Sequence, residues 1–211
     1  SSAIDMVALE RLSSHTKGII VVGTENPRCG DKAFTDAVAL ISDKLGWPVI
    51  ADALNPLRSH AEAIPLLITH YDAFLGDAHK AKELMPTAIL QIGNLPTSKM
   101  LRAWLSSLEA VSFLLTSRPI NTDPLHRIAT PLYGDTQALA EHLPPQLVEA
   151  NWSKLWLENE LKTANELDSK MLSIETFFEG KVAWLLSKHL PDDTPVSVSY
   201  THLRAHETCG H

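Results

Sequence analysis

The hydrophobic positions of this chain fall into short apolar runs that alternate with longer amphipathic stretches. One run starts at Gly18, continues through four β-branched residues and ends at Gly23, which is typical of a strand buried on both faces. Similar runs predict strands at residues 18–23, 47–51, 87–93, 111–116 and 127–133. Helices are predicted around them at residues 3–15, 31–45 (capped by Asp31), 98–108 and 135–143, and residues 61–84 are predicted to be mostly helical, with breaks at Pro65 and Gly76. This alternation indicates an α/β fold: an open, mainly parallel, Rossmann-like sheet with helices on both faces.

The pattern changes after Pro144 and Pro145. Two long helices are predicted there, over residues 146–170 and 173–189, and a new strand is expected to open near residues 194–196. We therefore expect a central α/β domain at residues 1–143, and a linker with the helical start of a truncated next domain at 144–196. Residues 197–211 are expected to be a non-native tail.

Composition narrows the possible partners. Hydrophobic residues make up 45% of the chain and charged residues 20%, and the net charge is −7. A face that binds nucleic acid or an anionic membrane needs clustered Lys and Arg, so neither partner is expected. No apolar run approaches the roughly 20 residues of a membrane span, and no signal peptide is visible. Two distant cysteines, Cys29 and Cys209, do not suggest disulfides, so the cytoplasm is the expected location.

Two basic residues follow predicted strands at the edge where open α/β sheets bind ligands. Lys99 opens the helix after the third predicted strand, where backbone N–H groups favour an anion. Arg58 follows the second predicted strand and could form a bidentate pair with a carboxylate. A surface lysine beside a capped helix and a structural salt bridge are the alternative interpretations of these two residues.

Other motifs carry less chemistry. The segment from Gly23 to Gly30 lies between a strand and a helix, but its glycines are too far apart for a dinucleotide-binding loop, so a turn and helix cap is favoured. His126 follows an Asp-Pro turn and is interpreted as a hydrogen-bonded turn residue. His202, His206, Cys209 and His211 have spacings that could ligate zinc. We reject that site because residues 198–208 resemble translated sequencing-adapter DNA.

Taken in order, several segments resemble the family of 2-succinyl-5-enolpyruvyl-6-hydroxy-3-cyclohexene-1-carboxylate synthases. The segments that carry the resemblance are residues 17–23, 45–58, 91–105 and 123–127. The resemblance implies a three-domain, thiamine-diphosphate-dependent transferase of menaquinone and phylloquinone biosynthesis that requires Mg²⁺ or Mn²⁺. Such an enzyme joins decarboxylated 2-oxoglutarate to isochorismate in a Stetter-type addition, and usually assembles as a homodimer or homotetramer.

In that family the catalytic and cofactor-binding motifs belong to the two flanking domains. The resemblance therefore implies no catalytic, cofactor-binding or metal-binding residue in this chain, no thiamine diphosphate bound to it, and no activity of the chain alone. It implies a substrate-binding role for Lys99 near the carboxylates derived from isochorismate, and it matches Arg58 to a recurrent Leu-Arg pair. The alternatives left open are a non-catalytic nucleotide-binding or regulatory module, and a structural central domain, of another thiamine-diphosphate enzyme.

Overall fold

The computed structural model describes residues 5–23, 30–53, 55–116, 129–144, 146 and 148–191. The chain forms two compact units, Ser1–Glu166 and Leu167–His211. The helices of the first unit are α1 (Met6–Ser13), α2 (Asp31–Leu45), α3 (Tyr71–Phe74), α4 (Ala78–Glu83), α5 (Lys99–Ser107), α6 (Thr136–His142) and the greater part of α7 (Ala150–Ser173). The strands are β1 (Gly18–Val22), β2 (Val49–Ala51), β3 (Leu67–Ile68), β4 (Ala88–Ile92), β5 (Val111–Thr116) and β6 (Thr130–Tyr133).

The described strands form one parallel sheet in the order β3-β2-β1-β4-β5-β6. The α/β class and the five predicted strands are therefore confirmed. Residues 61–84 were predicted to be mostly helical with breaks at Pro65 and Gly76; the structure has helical segments there, but also the strand β3, which was not predicted. Before β3 lies a 3₁₀ helix, Pro56–Ala63, and after it lie the short helices α3 and α4. A strand of two residues is too short to produce a periodic pattern of its own, and it exists because Val49 and Ile50 pair with it.

Alternate side chains of the central strand β1 enter two different cores. Ile20 and Val22 pack with the apolar stripes of α1, α2 and α6, whereas Ile19 and Val21 pack with α3, α5 and α7. Every residue of β1 is buried, as expected for a parallel strand covered on both faces. The helix α2 begins at Asp31, but its N-cap is Gly30, which makes no side-chain cap, so the predicted capping role of Asp31 was wrong.

The long helix α7 contributes its first half to the second core. Trp152 and Trp156 are buried there, and Trp156 meets the rings of Phe74, Trp104 and Trp152 edge to face, with each pair of centroids 6.0 Å apart. Trp152 also donates a hydrogen bond from Nε1 to the carbonyl of Gly18 at 2.8 Å. The first half of α7 therefore packs against one face of the α/β sheet.

The second unit contains the end of α7 and the helix α8 (Glu179–His189). Asp168 accepts a hydrogen bond from Trp184 at 2.7 Å and pairs with Lys188 at 2.7 Å. None of the described residues of α8 is buried, and the apolar side chains of Phe178, Val182 and Leu186 are exposed. Among the helices that the structure describes, none is both long and apolar enough to cross a membrane.

Candidate functional site

The candidate site lies at the carboxyl ends of β1, β2 and β4. The chain runs outward from β1 to β2 and β3 on one side, and to β4, β5 and β6 on the other, so the order reverses between β1 and β4. Ligands of open α/β sheets bind outside the carboxyl ends of the strands at such a reversal. We use the term sheet-edge cluster for Asp52, Asn55, Arg58, Thr97 and Lys99, which follow β2 and β4 here.

Two buried polar side chains hold the backbone of this edge together. Asp52 directly follows β2, and its Oδ2 accepts hydrogen bonds from the Thr97 backbone N–H at 2.6 Å and the Thr97 hydroxyl at 2.9 Å. Asn55 donates from Nδ2 to the carbonyl of Gly23 at 2.6 Å and accepts the Leu57 N–H at 3.0 Å. Asp52 is 0% exposed and Asn55 2% exposed, so both side chains make their hydrogen bonds from positions shielded from water.

The backbone segments that follow β1 and β4 approach each other closely. A Cβ built on Gly23 would lie 1.6 Å from the carbonyl oxygen of Asn94, which is far inside contact distance. Gly23 also donates its N–H to the carbonyl of Ile92 at 3.2 Å. Glycine is therefore required at the end of β1 for steric reasons, beside the point where the strand order reverses.

Arg58 lies partly buried against the end of β2. Its Nε and Nη2 atoms donate to the carbonyl of Ala51 at 3.3 and 3.1 Å, and its guanidinium carbon is 5.7 Å from the ring centroid of Tyr71. Burial raises the pKa of the Tyr71 hydroxyl, and the positive charge of Arg58 opposes that rise. Among the described residues, Arg58 makes no salt bridge of the kind considered from the sequence. It bonds the carbonyl of Ala51 instead.

Lys99 is the first residue of α5 and is exposed. Ser98 caps this helix by accepting the Leu101 N–H at 3.1 Å, and its hydroxyl donates to Oδ1 of Asp72 at 2.5 Å. Within the described ranges, Lys99 makes no hydrogen bond or ion pair, so its ammonium group is available to an anionic ligand. The structure thus places Lys99 and Arg58 after β4 and β2 at one edge, without a direct contact between them.

A third polar contact lies next to the cluster and was not predicted from the sequence. Glu160 of α7 is 8% exposed, and its carboxylate accepts hydrogen bonds from the backbone N–H groups of Thr69 and His70 at 2.9 and 3.0 Å. It also accepts from the Thr69 hydroxyl at 2.6 Å and contacts Nδ1 of His70 at 2.8 Å. Burial raises the pKa of Glu160, but the hydrogen bonds from His70 and Thr69 outweigh it and hold the pKa below its ordinary value.

The described residues of the candidate site include two basic side chains, Arg58 and Lys99, but no group of metal ligands. In the part of the chain that the structure describes, no three His, Cys, Asp or Glu side chains are grouped so that they could hold a metal ion. The described residues therefore do not fit a metal–diphosphate site. The loop at residues 24–29, the turn with His126 and the tail with its His and Cys residues lie outside the described residues.

Comparison with known proteins gives one family and a consistent set of relatives. Residues 3–197 match the family described as "Middle domain of thiamine pyrophosphate". Proteins named 2-succinyl-5-enolpyruvyl-6-hydroxy-3-cyclohexene-1-carboxylate synthase are similar to the chain. The one from Trichodesmium erythraeum is 36% identical over 92% of this chain and 34% of its own length. The one from Synechococcus elongatus is 38% identical over 87% of this chain and 31% of its own length.

A third synthase of that name, from Microcystis aeruginosa, is 34% identical over 93% of this chain and 35% of its own length. The chain therefore spans about a third of the length of these curated relatives. The similarity extends across both the α/β sheet and the helices that follow it.

Proposed function

This chain belongs to the thiamine pyrophosphate enzyme family whose middle domain matches residues 3–197, and from that premise we propose that it is the central part of a 2-succinyl-5-enolpyruvyl-6-hydroxy-3-cyclohexene-1-carboxylate synthase. The observation that carries the proposal is the identity of 34–38% to synthases of that name over 87–93% of the chain. The absence of a glycine-rich phosphate loop from the sequence counts against the alternative of a nucleotide-binding module.

The proposed activity belongs to the full-length protein. It joins decarboxylated 2-oxoglutarate to isochorismate on thiamine diphosphate, with Mg²⁺ or Mn²⁺, in the cytoplasm and as a homodimer or homotetramer. Thiamine diphosphate supplies the carbanion chemistry when it is bound, and the protein supplies binding and orientation. Under this proposal residues 1–143 are the central domain, residues 144–196 lead into the cofactor-binding domain, and residues 197–211 are a non-native tail.

The proposed contribution of this chain is to hold the carboxylates of isochorismate. Lys99 supplies an exposed ammonium group at the start of α5, next to backbone N–H groups that favour an anion. Arg58 bonds the carbonyl of Ala51 through Nε and Nη2 and lies beside the Tyr71 ring, and these contacts hold its guanidinium group at the carboxyl end of β2. Asp52 and Thr97 support this role because they fix the loop that leads to Lys99.

Substitution of Lys99 in the full-length protein tests this role. Lys99→Ala should raise the KM for isochorismate by about tenfold, as expected for the loss of one charged contact, and leave the KM for 2-oxoglutarate near its original value. Lys82→Ala is the matched control, since Lys82 is an exposed lysine on α4, which precedes β4 and so lies toward the opposite edge of the sheet. Unchanged isochorismate kinetics in Lys99→Ala would remove this residue from the site.

A second measurement addresses the cofactor. Calorimetric titration of the 211-residue chain with thiamine diphosphate and Mg²⁺ should give no binding in the micromolar range, because the family's cofactor-binding motifs belong to other domains. The full-length protein, titrated in parallel, should bind. Micromolar binding to the 211-residue chain would contradict the assignment of these residues to the central domain.

A further inference from the structure

A single buried carboxylate holds the segment that connects the two candidate substrate-binding residues. Glu160 accepts hydrogen bonds from two backbone N–H groups and the Thr69 hydroxyl, all between 2.6 and 3.0 Å. An ionised carboxylate can only accept, so His70 contributes an Nδ1–H donor to the fourth contact, at 2.8 Å. Glu160 lies on α7, and the residues that it binds lie 90 and 91 positions away in the sequence, at the end of β3.

The two residues that follow this contact reach both sides of the sheet-edge cluster. Tyr71 places its ring 5.7 Å from the guanidinium carbon of Arg58 and directs its hydroxyl toward the carbonyl of Ala51 at 3.5 Å. Asp72 accepts the hydroxyl of Ser98 at 2.5 Å, and Ser98 is the cap of the helix that begins with Lys99. Displacement of residues 69–72 would therefore disturb Arg58 through Tyr71 and Lys99 through Asp72.

Aromatic packing reinforces the same connection. Trp156 lies one turn before Glu160 on α7 and is 0% exposed. Its ring meets Phe74 of α3 and Trp104 of α5, with both pairs of centroids 6.0 Å apart. One face of α7 thus contacts α3, which begins with Tyr71, and α5, which begins with the cluster residue Lys99, and Glu160 is a buried polar residue of α7.

We infer that Glu160 is a positioning residue for the substrate-carboxylate site, acting through residues 69–72 on Arg58 and Lys99. The inference rests on the proposed function for the identity of the ligand, but the structural connection is independent of it. The carboxylate suits this place because four donors converge on it, whereas a glutamine amide would turn its own N–H₂ donor toward some of them. The test has a structural part and a kinetic part. The structural part can contradict the positioning role of Glu160 independently of the proposed substrate site.

The structural part uses nuclear magnetic resonance of the 211-residue chain. Glu160→Gln should shift the amide resonances of Ser98 and Lys99, and the ring resonances of Tyr71, in addition to the amides of Thr69 and His70. Glu158→Gln is the matched control, since Glu158 lies on the same helix with a side chain that is 61% exposed. Changes confined to Thr69 and His70, or no larger elsewhere than those of the control, would overturn the inference. Thr69→Val, which removes only the hydroxyl bond, gives the same comparison if Glu160→Gln does not fold.

The kinetic part uses the full-length protein. Glu160→Gln should raise the KM for isochorismate about three- to tenfold and keep kcat within about twofold, because a displaced binding group weakens substrate binding. Loss of folded enzyme alone would lower kcat at unchanged KM, and that result would overturn the positioning role. If Lys99→Ala leaves the KM for isochorismate unchanged, the proposed substrate site is wrong. The resonance shifts in Glu160→Gln then test by themselves whether Glu160 positions Arg58 and Lys99 through residues 69–72.

Discussion

The carboxylate of Asp52 accepts two hydrogen bonds from Thr97, one from its backbone N–H at 2.6 Å and one from its hydroxyl at 2.9 Å. The two residues are 45 positions apart and follow β2 and β4, which flank β1 in the sheet. This contact fixes the backbone two residues before Lys99. The geometry of the candidate site therefore depends on a buried carboxylate that holds together the segments following β2 and β4.

Replacement of Asp52 should lower the stability of the first unit. Asp52→Ala removes the charged acceptor of both the Thr97 N–H and the Thr97 hydroxyl and should reduce the free energy of unfolding by about 1–3 kcal/mol. Asp36→Ala is the control, because Asp36 is exposed and its pair with Lys32 is an i, i+4 surface pair, so its loss should change stability by less than about 0.5 kcal/mol. Urea denaturation followed by circular dichroism measures both. Equal effects of the two substitutions would contradict the role given to Asp52.

A methyl group at the end of β1 should be poorly tolerated. In Gly23→Ala the new Cβ would meet the carbonyl oxygen of Asn94 at 1.6 Å, so the backbone must move, at a cost of about 1–3 kcal/mol. Gly76→Ala is the matched control: its nearest non-neighbouring atoms lie at 3.7 and 3.9 Å, and it should be neutral or stabilising by up to about 1 kcal/mol. Thermal unfolding of the two variants compares them, and a Gly23→Ala protein as stable as Gly76→Ala would show that this contact is absent.

The sequence was sufficient for the long buried strands and for the position of Lys99. The run from Gly18 to Val22 is apolar throughout and bounded by glycines, so burial on both faces can be inferred without tertiary information. The strand Leu67–Ile68 could not be inferred, because a pair of apolar residues fits a helix or a strand equally well and only its pairing with β2 decides between them.

The polar contacts of the site also could not be inferred from the sequence, because they too depend on tertiary packing. A glutamate in a charged helix is expected to face solvent, and nothing near Glu160 in the sequence identifies Thr69 and His70 as its partners. One signal was available: Glu160 lies four residues after Trp156 and eight after Trp152, on the apolar stripe of its helix. A charged residue in line with buried tryptophans indicates a buried partner, although not which one.

Replacement of Trp156 should measure how much the packing of α7 against the sheet contributes to the free energy of unfolding. Trp156→Ala empties a site enclosed by Phe74, Trp104 and Trp152, and should lower the free energy of unfolding by about 3–5 kcal/mol. Leu161→Ala on the same helix is the control, since Leu161 is 61% exposed and its loss should cost less than about 0.5 kcal/mol. Denaturation followed by circular dichroism avoids the change in tryptophan fluorescence. A small effect of Trp156→Ala would mean that α7 does not cover the sheet.

The contribution of Glu160 to stability should disappear in acid. Burial raises the pKa of this carboxyl group, but the hydrogen bonds from His70 and Thr69 outweigh burial and lower the pKa below 4.5 in the folded protein. The unfolded chain therefore binds the proton more readily, so the stabilisation is complete above the unfolded pKa and is lost as the pH falls through the folded value. Glutamine does not titrate, so the difference in unfolding free energy between the original protein and Glu160→Gln should be constant near pH 6.

Below about pH 4.5 that difference should shrink, because protonation of Glu160 removes the charge that the substitution has already removed. Urea titrations at intervals from about pH 6 to about pH 3.5 measure it, with Glu158→Gln as the control. Glu158 is exposed and pairs with Lys154 as an i, i+4 surface pair, so its substitution should give a small and nearly flat difference over the same range. A difference for Glu160→Gln that stays constant down to pH 3.5 would mean that the charge of Glu160 does not hold Thr69 and His70 in place.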